Sequence, residues 1–273
     1  MEVLYIILGV IAGLLLLTLW IIAPYAPSKR KKEPFYGANI AHRGLFSKDQ
    51  SIPENSLAAF KNAVDAGYGV ELDVQLSKDG KVVVIHDGNL KRVCGADVKV
   101  EDLDYDELAK YRLCGTDEKI PLFSEVLEVI GGKTPIIVEL KDVPKNRELC
   151  EKTYALMNAY DGVTCMESFN PFIVAWFRFH APKVYRGQLA TLPEDYRAGG
   201  RSRLTSFLLG NLFMNFAARP NFNAYRICKK PFFVKICEVL GCVKVGWTSH
   251  EAKNEQGLDT VIFEHYRPEI KYK

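Results

Sequence analysis

Side chains suited to acid–base and metal chemistry are concentrated between positions 42 and 87. They include two histidines, an arginine and two carboxylates one residue apart, and they lie at predicted strand ends or in loops, where a core needs none of them. These residues are His42, Arg43, Glu71, Asp73 and His86. Histidine exchanges protons near neutral pH, and carboxylate oxygens are the ligands that Mg²⁺ and Ca²⁺ prefer. The set predicts a site that holds a divalent cation and breaks a phosphodiester bond.

The spacing of these residues predicts how they come together. Residues 70–84 alternate apolar and polar side chains around an Asp-Gly pair at 79–80, which is typical of a β-hairpin. With a two-residue turn, Asp73 lies opposite His86, and Glu71 shares their face because side chains alternate along a strand. The hairpin would then place both carboxylates beside the histidine and turn Val83 and Ile85 toward the core.

The N-terminal segment, residues 1–26, is predicted to be a membrane anchor. No charged residue occurs from position 3 to position 28, which exceeds the roughly 20 residues needed to span a bilayer. A cleaved signal peptide is the alternative, and we favour it less because Glu2 stands where a positive charge is usual and the apolar run is long.

A basic linker, residues 27–36, follows the anchor. It contains the four-residue cluster Lys29-Arg30-Lys31-Lys32. Positive charge beside a membrane segment favours the cytoplasmic side. We therefore expect a single-pass membrane protein whose catalytic domain lies in the cytoplasm, and the cluster could contact anionic lipid headgroups.

The remaining segment, residues 37–273, has the size of one (β/α)₈ TIM barrel, which typically contains about 250 residues. Helical patterns at 55–66 and 122–130 fall between predicted strands. The run 82–86 is read as the return arm of the hairpin, and 88–120 as a small insertion after it at the catalytic end. The eight predicted barrel strands are 38–42, 69–74, 135–140, 162–167, 184–189, 222–226, 243–247 and 259–263.

Composition excludes several other classes of protein. The net charge of +3 comes mostly from the basic linker, and no basic stripe with interleaved aromatic residues is present, so we expect no nucleic-acid partner. The seven cysteines are scattered and lack a Cys-x-x-Cys pair, which argues against a disulfide framework or a zinc site. No protein partner is predicted.

The order of short motifs along the chain resembles that of glycerophosphodiester phosphodiesterases, and a membrane-anchored bacterial-type member in particular. The resemblance covers nearly all of residues 38–264 and is thinner after position 190. It implies a (β/α)₈ barrel, a divalent cation and hydrolysis of glycerophosphodiesters. The motifs are His42-Arg43-Gly44, Pro53-Glu54-Asn55-Ser56, Glu71-x-Asp73, Asp79-Gly80, His86-Asp87, Glu139-Leu140-Lys141, Ser168-Phe169 and Trp247-Thr248.

The resemblance assigns roles to matching residues. Glu71, Asp73 and Glu139 are the expected metal ligands, and three carboxylates suit Mg²⁺ or Ca²⁺ better than zinc. His42 and His86 are the expected general acid and base, with their order left open. The family's reaction implies that the substrate's own glycerol hydroxyl attacks phosphorus and that water opens the cyclic phosphate.

Four further residues are expected to bind substrate. Arg43 and Lys141 would hold the phosphate, Glu54 would add a contact, and Trp247 would pack beside the glycerol. The sequence departs from the family pattern at Phe263-Glu264, where Thr-Asp is common, and after Thr248, which bears on the leaving-group side of the site.

We therefore predict metal-dependent hydrolysis of glycerophosphodiesters to glycerol phosphate and an alcohol at the membrane surface. The alternative is a lysophospholipase D that acts on membrane lysophospholipids, so the expected partners are one of these substrates and membrane lipid. A non-catalytic membrane scaffold is disfavoured because it needs none of the metal and histidine residues. The apolar stretch 201–220 is either a helix packed on the barrel or a surface that dips into the bilayer.

Overall fold

Eight parallel strands close into a barrel, which confirms the predicted (β/α)₈ fold. The computed structural model of the protein describes residues 1–25, 35 and 37–270. Each predicted barrel strand overlaps an observed one, and β1 closes the barrel by pairing with both β2 and β9. The strands are β1 Asn39–Ala41, β2 Gly69–Leu76, β3 Val82–Val84, β4 Ile136–Leu140, β5 Thr164–Ser168, β6 Tyr185–Ala190, β7 Phe222–Arg226, β8 Val243–Ser249 and β9 Thr260–Phe263.

Helices cover the outside of the barrel and precede it. Two of them match the predicted helices at 55–66 and 122–130 closely. In the described residues the helices are α1 Glu2–Ile22, α2 Leu57–Asp65, α3 Lys91–Cys94, α4 Tyr105–Leu108, α5 Phe123–Ile130, α6 Asn146–Ala159, α7 Pro171–His180, α8 Pro193–Ala198, α9 Arg203–Gly210, α10 Asn215–Ala218 and α11 Phe232–Val239, with 3₁₀ turns at Val100–Asp102, Leu113–Gly115 and Ala252–Glu255.

The alternation of side chains along each strand separates the barrel interior from the helix layer. On β4, Val138 and Leu140 pack with the surrounding helices, whereas Ile137 lies in the interior cluster with Ile40 and Ile262. Side chains two residues apart on a strand share a face. Glu139 therefore follows Ile137 into the barrel interior, at the end of the strand where TIM-barrel sites are built.

The hairpin formed by β2 and β3 has a register one residue away from the predicted one. Val74 pairs with Val84, and the Ile85 amide donates to the Asp73 carbonyl over 3.0 Å. Asp73 therefore lies opposite Ile85 and not opposite His86. The prediction of the pairing was wrong, although the hairpin itself is present.

The register differs because the turn has three residues, 78–80, instead of two. The Gly80 amide donates to the Ser77 carbonyl over 2.9 Å, and the Ser77 hydroxyl accepts from the Lys81 amide over 2.9 Å. Gly80 has a φ of 75°, the left-handed conformation that closes three-residue hairpin loops and that glycine adopts most readily.

The shifted register changes which core the side chains of β3 and of the residue after it pack into. Val83 and Ile85 were predicted to face the same core as the apolar side of β2, but they pack instead in a small separate core of the insertion, 88–120. His86 still reaches the catalytic end, because the chain bends there and the Gln75 side-chain amide donates to its carbonyl over 2.9 Å.

Helix α1 has the length and composition of a membrane-spanning or signal-sequence helix. Its most apolar 18-residue window has a mean hydropathy of 2.6 and is only 6% buried. Its C-terminal end is attached to the barrel. The Arg219 guanidinium donates to the carbonyls of Trp20 and Ala23 over 2.7 and 2.8 Å, and the Asn215 amide donates to the Ile22 carbonyl over 3.0 Å. The basic cluster after α1 lies outside the described residues.

Candidate active site

Three buried carboxylates, Glu71, Asp73 and Glu139, meet at the C-terminal ends of β2 and β4. We call them the acidic triad. The parallel register places Asp73 beside Glu139, and period-two alternation puts Glu71 on the same interior face. One potential ligand atom from each lies within 4.8 Å of the others. This arrangement has the donor atoms and spacing to hold a metal ion.

Around the acidic triad, buried carboxylates outnumber cationic side chains, so the local charge favours a divalent cation. Glu167, at the end of β5, is 1% exposed and brings a fourth carboxylate. Arg43 and Lys141 bring two positive charges, and Lys141 Nζ lies 2.7 Å from carboxylate oxygens of both Asp73 and Glu139. Within the described residues, Glu71 Oε1 and Glu167 Oε2 accept no hydrogen bond. Buried charges without such partners are costly, so these oxygens fit a cation.

Burial and mutual repulsion perturb the pKa values of the acidic triad in the absence of a cation. Burial, followed by the charges of Asp73 and Glu139, raises the pKa of Glu71 well above its usual value. Burial also raises the pKa of Glu139, to about 7, against the opposing charge of Lys141. The pKa of Asp73 is lowered, because the charges of Lys141 and its other cationic neighbours outweigh its burial. Large pKa shifts of neighbouring groups in opposite directions are typical of functional sites.

His42 lies at the end of β1 and is held by a carboxylate that follows β9. Its Nδ1 lies 2.6 Å from Glu264 Oε1, which leaves Nε2 directed toward the acidic triad, 3.8 Å from Glu71 Oε2. The hydrogen bond with His42 lowers the pKa of Glu264 although burial opposes this. In the sequence, Glu264 stood out only as a departure from the family pattern. Its position directly after β9, the strand that pairs with β1 in the closed barrel, is the feature from which its closeness to His42 could have been predicted.

His86 has a similar arrangement on the other side of the site. Its Nδ1 lies 2.6 Å from Asp87 Oδ1. Burial and the positive charges of Lys141 and Arg43 lower the pKa of His86, against the attraction of Asp73. A carboxylate that fixes Nδ1 leaves the opposite ring nitrogen available for proton transfer. Both histidines are thus oriented in the same way.

Arginines and carboxylates connect the two halves of the site. Arg43 Nη1 donates to Glu54 Oε1 over 2.8 Å, and Arg92 from the insertion donates to both Glu54 oxygens over 2.9 and 2.7 Å. Arg92 Nε also donates to Asp87 over 2.6 Å, the residue that holds His86. Glu54 therefore positions Arg43, and its predicted contact with substrate stays a prediction. Arg92 was not identified from the sequence.

Asn55 and Ser56, just before α2, have different roles. Ser56 caps α2 by accepting from the Ala59 amide over 3.1 Å. Asn55 donates instead to Asp73 Oδ2 over 2.8 Å, and so orients one member of the acidic triad. A Cβ atom at Gly44, after β1, would lie 2.9 Å from the backbone of Ala59 in α2, so only glycine lets this loop approach the helix so closely.

A cavity of about 160 Å³, which we call the catalytic cavity, opens above these residues. Trp247 forms one wall, and its indole nitrogen donates to the Ala224 carbonyl over 3.0 Å. Phe169 meets Trp247 edge to face, with ring centroids 5.5 Å apart. The other side opens into a polar cleft of about 700 Å³ lined by His86, Lys141 and residues of the insertion. The catalytic cavity is lined by His42, Arg43, Glu71, His86, Glu139, Glu167, Phe169, Leu189, Trp247, Thr248 and Ile262.

Comparison with known proteins agrees with this geometry. Residues 42–265 match the model of the glycerophosphoryl diester phosphodiesterase family. Lysophospholipase D GDPD1 of Rattus norvegicus is 41% identical over 145 residues, 48% of this chain and 44% of that protein. A glycerophosphodiester phosphodiesterase of Caldanaerobacter subterraneus subsp. tengcongensis is 41% identical over 112 residues, 37% of this chain and 44% of that protein. The chain thus spans less than half the length of these relatives.

Solved structures share the fold. A glycerophosphodiester phosphodiesterase from Thermotoga maritima has a TM-score of 0.63 and 28% identity, covering 83% of this chain and 93% of that one. An Oleispira antarctica phosphodiesterase, determined in complex with the product sn-glycerol-3-phosphate, has a TM-score of 0.68 and 24% identity, covering 84% and 93%. With a family match across most of its length, this chain belongs to the glycerophosphoryl diester phosphodiesterase family.

Proposed function

We propose that this protein hydrolyses glycerophosphodiesters to glycerol phosphate and an alcohol. The observation that carries the proposal is the pair of carboxylate-held histidines, His42 and His86, on either side of the acidic triad. Breaking a phosphodiester requires removal of a proton from the attacking hydroxyl and delivery of a proton to the leaving alkoxide. Two histidines with free Nε2 atoms supply both transfers.

The two histidines act in sequence on the substrate. One accepts the proton of the substrate's glycerol hydroxyl as its oxygen attacks phosphorus, and the other gives a proton to the departing alkoxide, so that the alcohol leaves and a cyclic phosphate forms. Water then opens the ring with the two proton transfers reversed. Glu264 and Asp87 keep each imidazole in position through its Nδ1.

The acidic triad would hold the divalent cation. Its three carboxylates are hard oxygen donors, which suit Mg²⁺ or Ca²⁺. When bound, the cation neutralises negative charge on the phosphate and on the developing transition state. Arg43 and Lys141 add positive charge from the protein, Arg43 as a planar fork and Lys141 as a point charge.

The two ends of the substrate would lie in different parts of the site. Trp247 and Phe169 offer apolar walls to the glycerol carbons, whereas the polar cleft beyond His86 accepts the departing alcohol. The cavity of about 160 Å³ suits a glycerophosphate group and not a bulkier acyl-glycerol. A longer substituent on the glycerol must therefore leave through a neighbouring opening.

The protein is further proposed to act at a membrane through α1. The hydrogen bonds from Arg219 and Asn215 to the last carbonyls of α1 support a retained anchor over a cleaved signal sequence, since cleavage would remove their acceptors. The basic cluster at 29–32 favours a cytoplasmic catalytic domain. Protease accessibility of the domain in intact cells tests this topology.

A lysophospholipase D activity is the second proposed function. The relative from Rattus norvegicus that bears this name shares 41% identity over 145 residues. A lysophospholipid keeps the free glycerol hydroxyl that attacks phosphorus, so the same residues serve both substrates.

The test is release of choline by the full chain, in nanodiscs, from glycerophosphocholine and from lysophosphatidylcholine. Each reaction is run with EDTA, with Mg²⁺ and with Ca²⁺. We expect release that requires a divalent cation and is lost in His42→Ala, whereas a change of the exposed His180 at the end of α7, His180→Ala, leaves it unchanged. Absence of release from both substrates, or full activity of His42→Ala, would overturn the proposal.

A further inference from the structure

A second cavity adjoins the catalytic cavity and is mostly apolar. It has a volume of about 360 Å³ and lies between the start of α7 and helices α8 and α9. We call it the α9 cleft. Its apolar lining includes Phe172, Leu208, Leu209 and Met214. This volume falls in the range of small-molecule sites, about 300–1,000 Å³.

Phe169 forms the boundary between the two cavities. It lines both of them, and its ring meets Trp247 on one side and Tyr196 on the other, with centroids 5.5 and 6.4 Å away. A substituent on a glycerol in the catalytic cavity therefore passes Phe169 to enter the α9 cleft. Because the two cavities share this wall, a molecule that extends past the Phe169 ring would occupy both.

We propose that the α9 cleft binds the single acyl chain of a lysophospholipid whose glycerophosphate group lies in the catalytic cavity. The inference rests on the proposed function and names its substrate class. At about 30 Å³ per methylene, similar to the share of one water molecule in the liquid, the cleft of about 360 Å³ accommodates roughly twelve carbons. The lining also includes Asp142 and Arg201, but these two exposed side chains pair with each other, Arg201 Nη2 lying 3.6 Å from Asp142 Oδ2, so the apolar residues favour an acyl chain as the occupant.

The surroundings of the α9 cleft point to a lipid source for this occupant. Residues 203–220 carry the cleft lining on α9 and, a few residues later, Asn215 and Arg219, which hold the end of α1. Leu204 and Phe207 on the same helix are 68% and 44% exposed. A helix that lines the cleft, exposes apolar side chains and leads to the anchor is suited to receive a lipid from the bilayer in which α1 lies.

Leu209→Glu tests the proposal, with Ala155→Glu as its control. Both substitutions add the same charge to a barrel helix, but Ala155, on α6, is exposed and does not line the cleft. The full chain in diacyl-phosphatidylcholine nanodiscs is assayed for choline release from glycerophosphocholine and from lysophosphatidylcholines of increasing chain length. Burial of each methylene is expected to raise kcat/KM by up to about fourfold.

We expect Leu209→Glu to reduce kcat/KM for dodecanoyl lysophosphatidylcholine by about tenfold or more and to flatten the chain-length dependence. Hydrolysis of glycerophosphocholine should stay within about twofold and reports correct folding. Ala155→Glu should change neither. If Leu209→Glu disturbs folding, Leu208→Gln repeats the test with a milder change. Equal loss on both substrates in a folded variant would overturn the proposal.

Failure of the proposed function is distinguishable from failure of this inference. A protein that hydrolyses glycerophosphocholine with no chain-length effect retains the function and refutes the acyl site. A protein that hydrolyses neither substrate is tested by binding of a pyrene-labelled lysophosphatidylcholine. Binding lost in Leu209→Glu but kept in Ala155→Glu supports the site, and no binding refutes it. A change of oligomeric state in Leu209→Glu without an effect on lipid would instead identify a protein-docking surface.

Discussion

Glu71→Gln should stabilise the metal-free protein while abolishing its response to divalent cations. Glu71 is 1% exposed, its Oε2 accepts only the Arg43 amide over 3.0 Å among the described hydrogen bonds, and its Oε1 accepts none. Its raised pKa has burial as the main cause, followed by repulsion from Asp73 and Glu139. Glutamine keeps the shape and the acceptor but removes the charge.

The expected size follows from the unsatisfied buried charge. Such a group destabilises a fold by about 1–3 kcal/mol or more, and a domain of this size changes its thermal midpoint by about 2–4 °C per kcal/mol. Without metal at pH 8, the midpoint of Glu71→Gln should therefore rise by roughly 2–12 °C. For the wild type, a cation at a hundred times its Kd adds about 2.7 kcal/mol.

The assay is thermal unfolding of the full chain with EDTA, with Mg²⁺ and with Ca²⁺. Glu128→Gln, an exposed change of the same type on α5, is the control and should respond to metal like the wild type. A variant that is less stable than the wild type in EDTA, and that metal still stabilises by the wild-type amount, would refute the reasoning. That result would mean that Glu71 has a structural role in place of a metal-binding one.

Four further outcomes are expected. His86→Ala should lower kcat by about 10²- to 10⁴-fold while the metal-induced shift of the thermal midpoint stays as in the wild type; loss of that shift would contradict an acid–base role. Glu264→Gln should lower kcat by at least about tenfold with little effect on KM, because His42 loses the carboxylate that orients it, and an unchanged kcat would count against this orientation. Metal affinity, followed by calorimetry, should fall about tenfold per pH unit below about 7, because the pKa of Glu139, raised to about 7, lets a proton compete with the cation. A metal affinity that does not change with pH below about 7 would contradict this competition between proton and cation. For the same reason the metal-free fold binds this proton more tightly than the unfolded chain does, so its free energy of unfolding should fall as the pH rises from about 4.5 to about 7.

The barrel and the acidic triad were predictable because they depend on local patterns. Apolar runs of strand length recur along the chain, and alternation within a run decides which side chains enter the barrel. Glu71, Asp73 and Glu139 each follow from that rule once β2 and β4 are recognised. Parallel pairing then brings them together, with Asp73 beside Glu139.

The hairpin register was not predictable from the same pattern. An Asp-Gly pair favours a two-residue turn, but here the Ser77 hydroxyl accepts from the Lys81 amide and extends the loop by one residue. The Ser77 side chain, which lies just outside the turn, thus sets the pairing of β2 with β3. His86 reaches the site nonetheless, because the bend after β3 and the hydrogen bond from Gln75 compensate for the shift.

The residues that hold other site residues in position were the hardest to predict from the sequence. Glu264 holds His42 across a separation of 222 positions, and Arg92 reaches Glu54 from an insertion with no regular period. Neither follows from spacing, since only barrel closure and packing of the insertion create these contacts. The α9 cleft likewise depends on how α7, α8 and α9 pack, which an apolar stretch alone does not specify.

The central claim is hydrolysis of a glycerophosphodiester at the phosphorus atom by a cation-loaded site that uses His42. The most direct measurement is ³¹P NMR of glycerophosphocholine with the full chain and Mg²⁺ or Ca²⁺ in ¹⁸O-enriched water. We predict conversion of the diester signal to glycerol phosphate that carries the label, with none in EDTA or with His42→Ala. No conversion with either cation, label in the alcohol in place of the phosphate, or unchanged conversion by His42→Ala would contradict it.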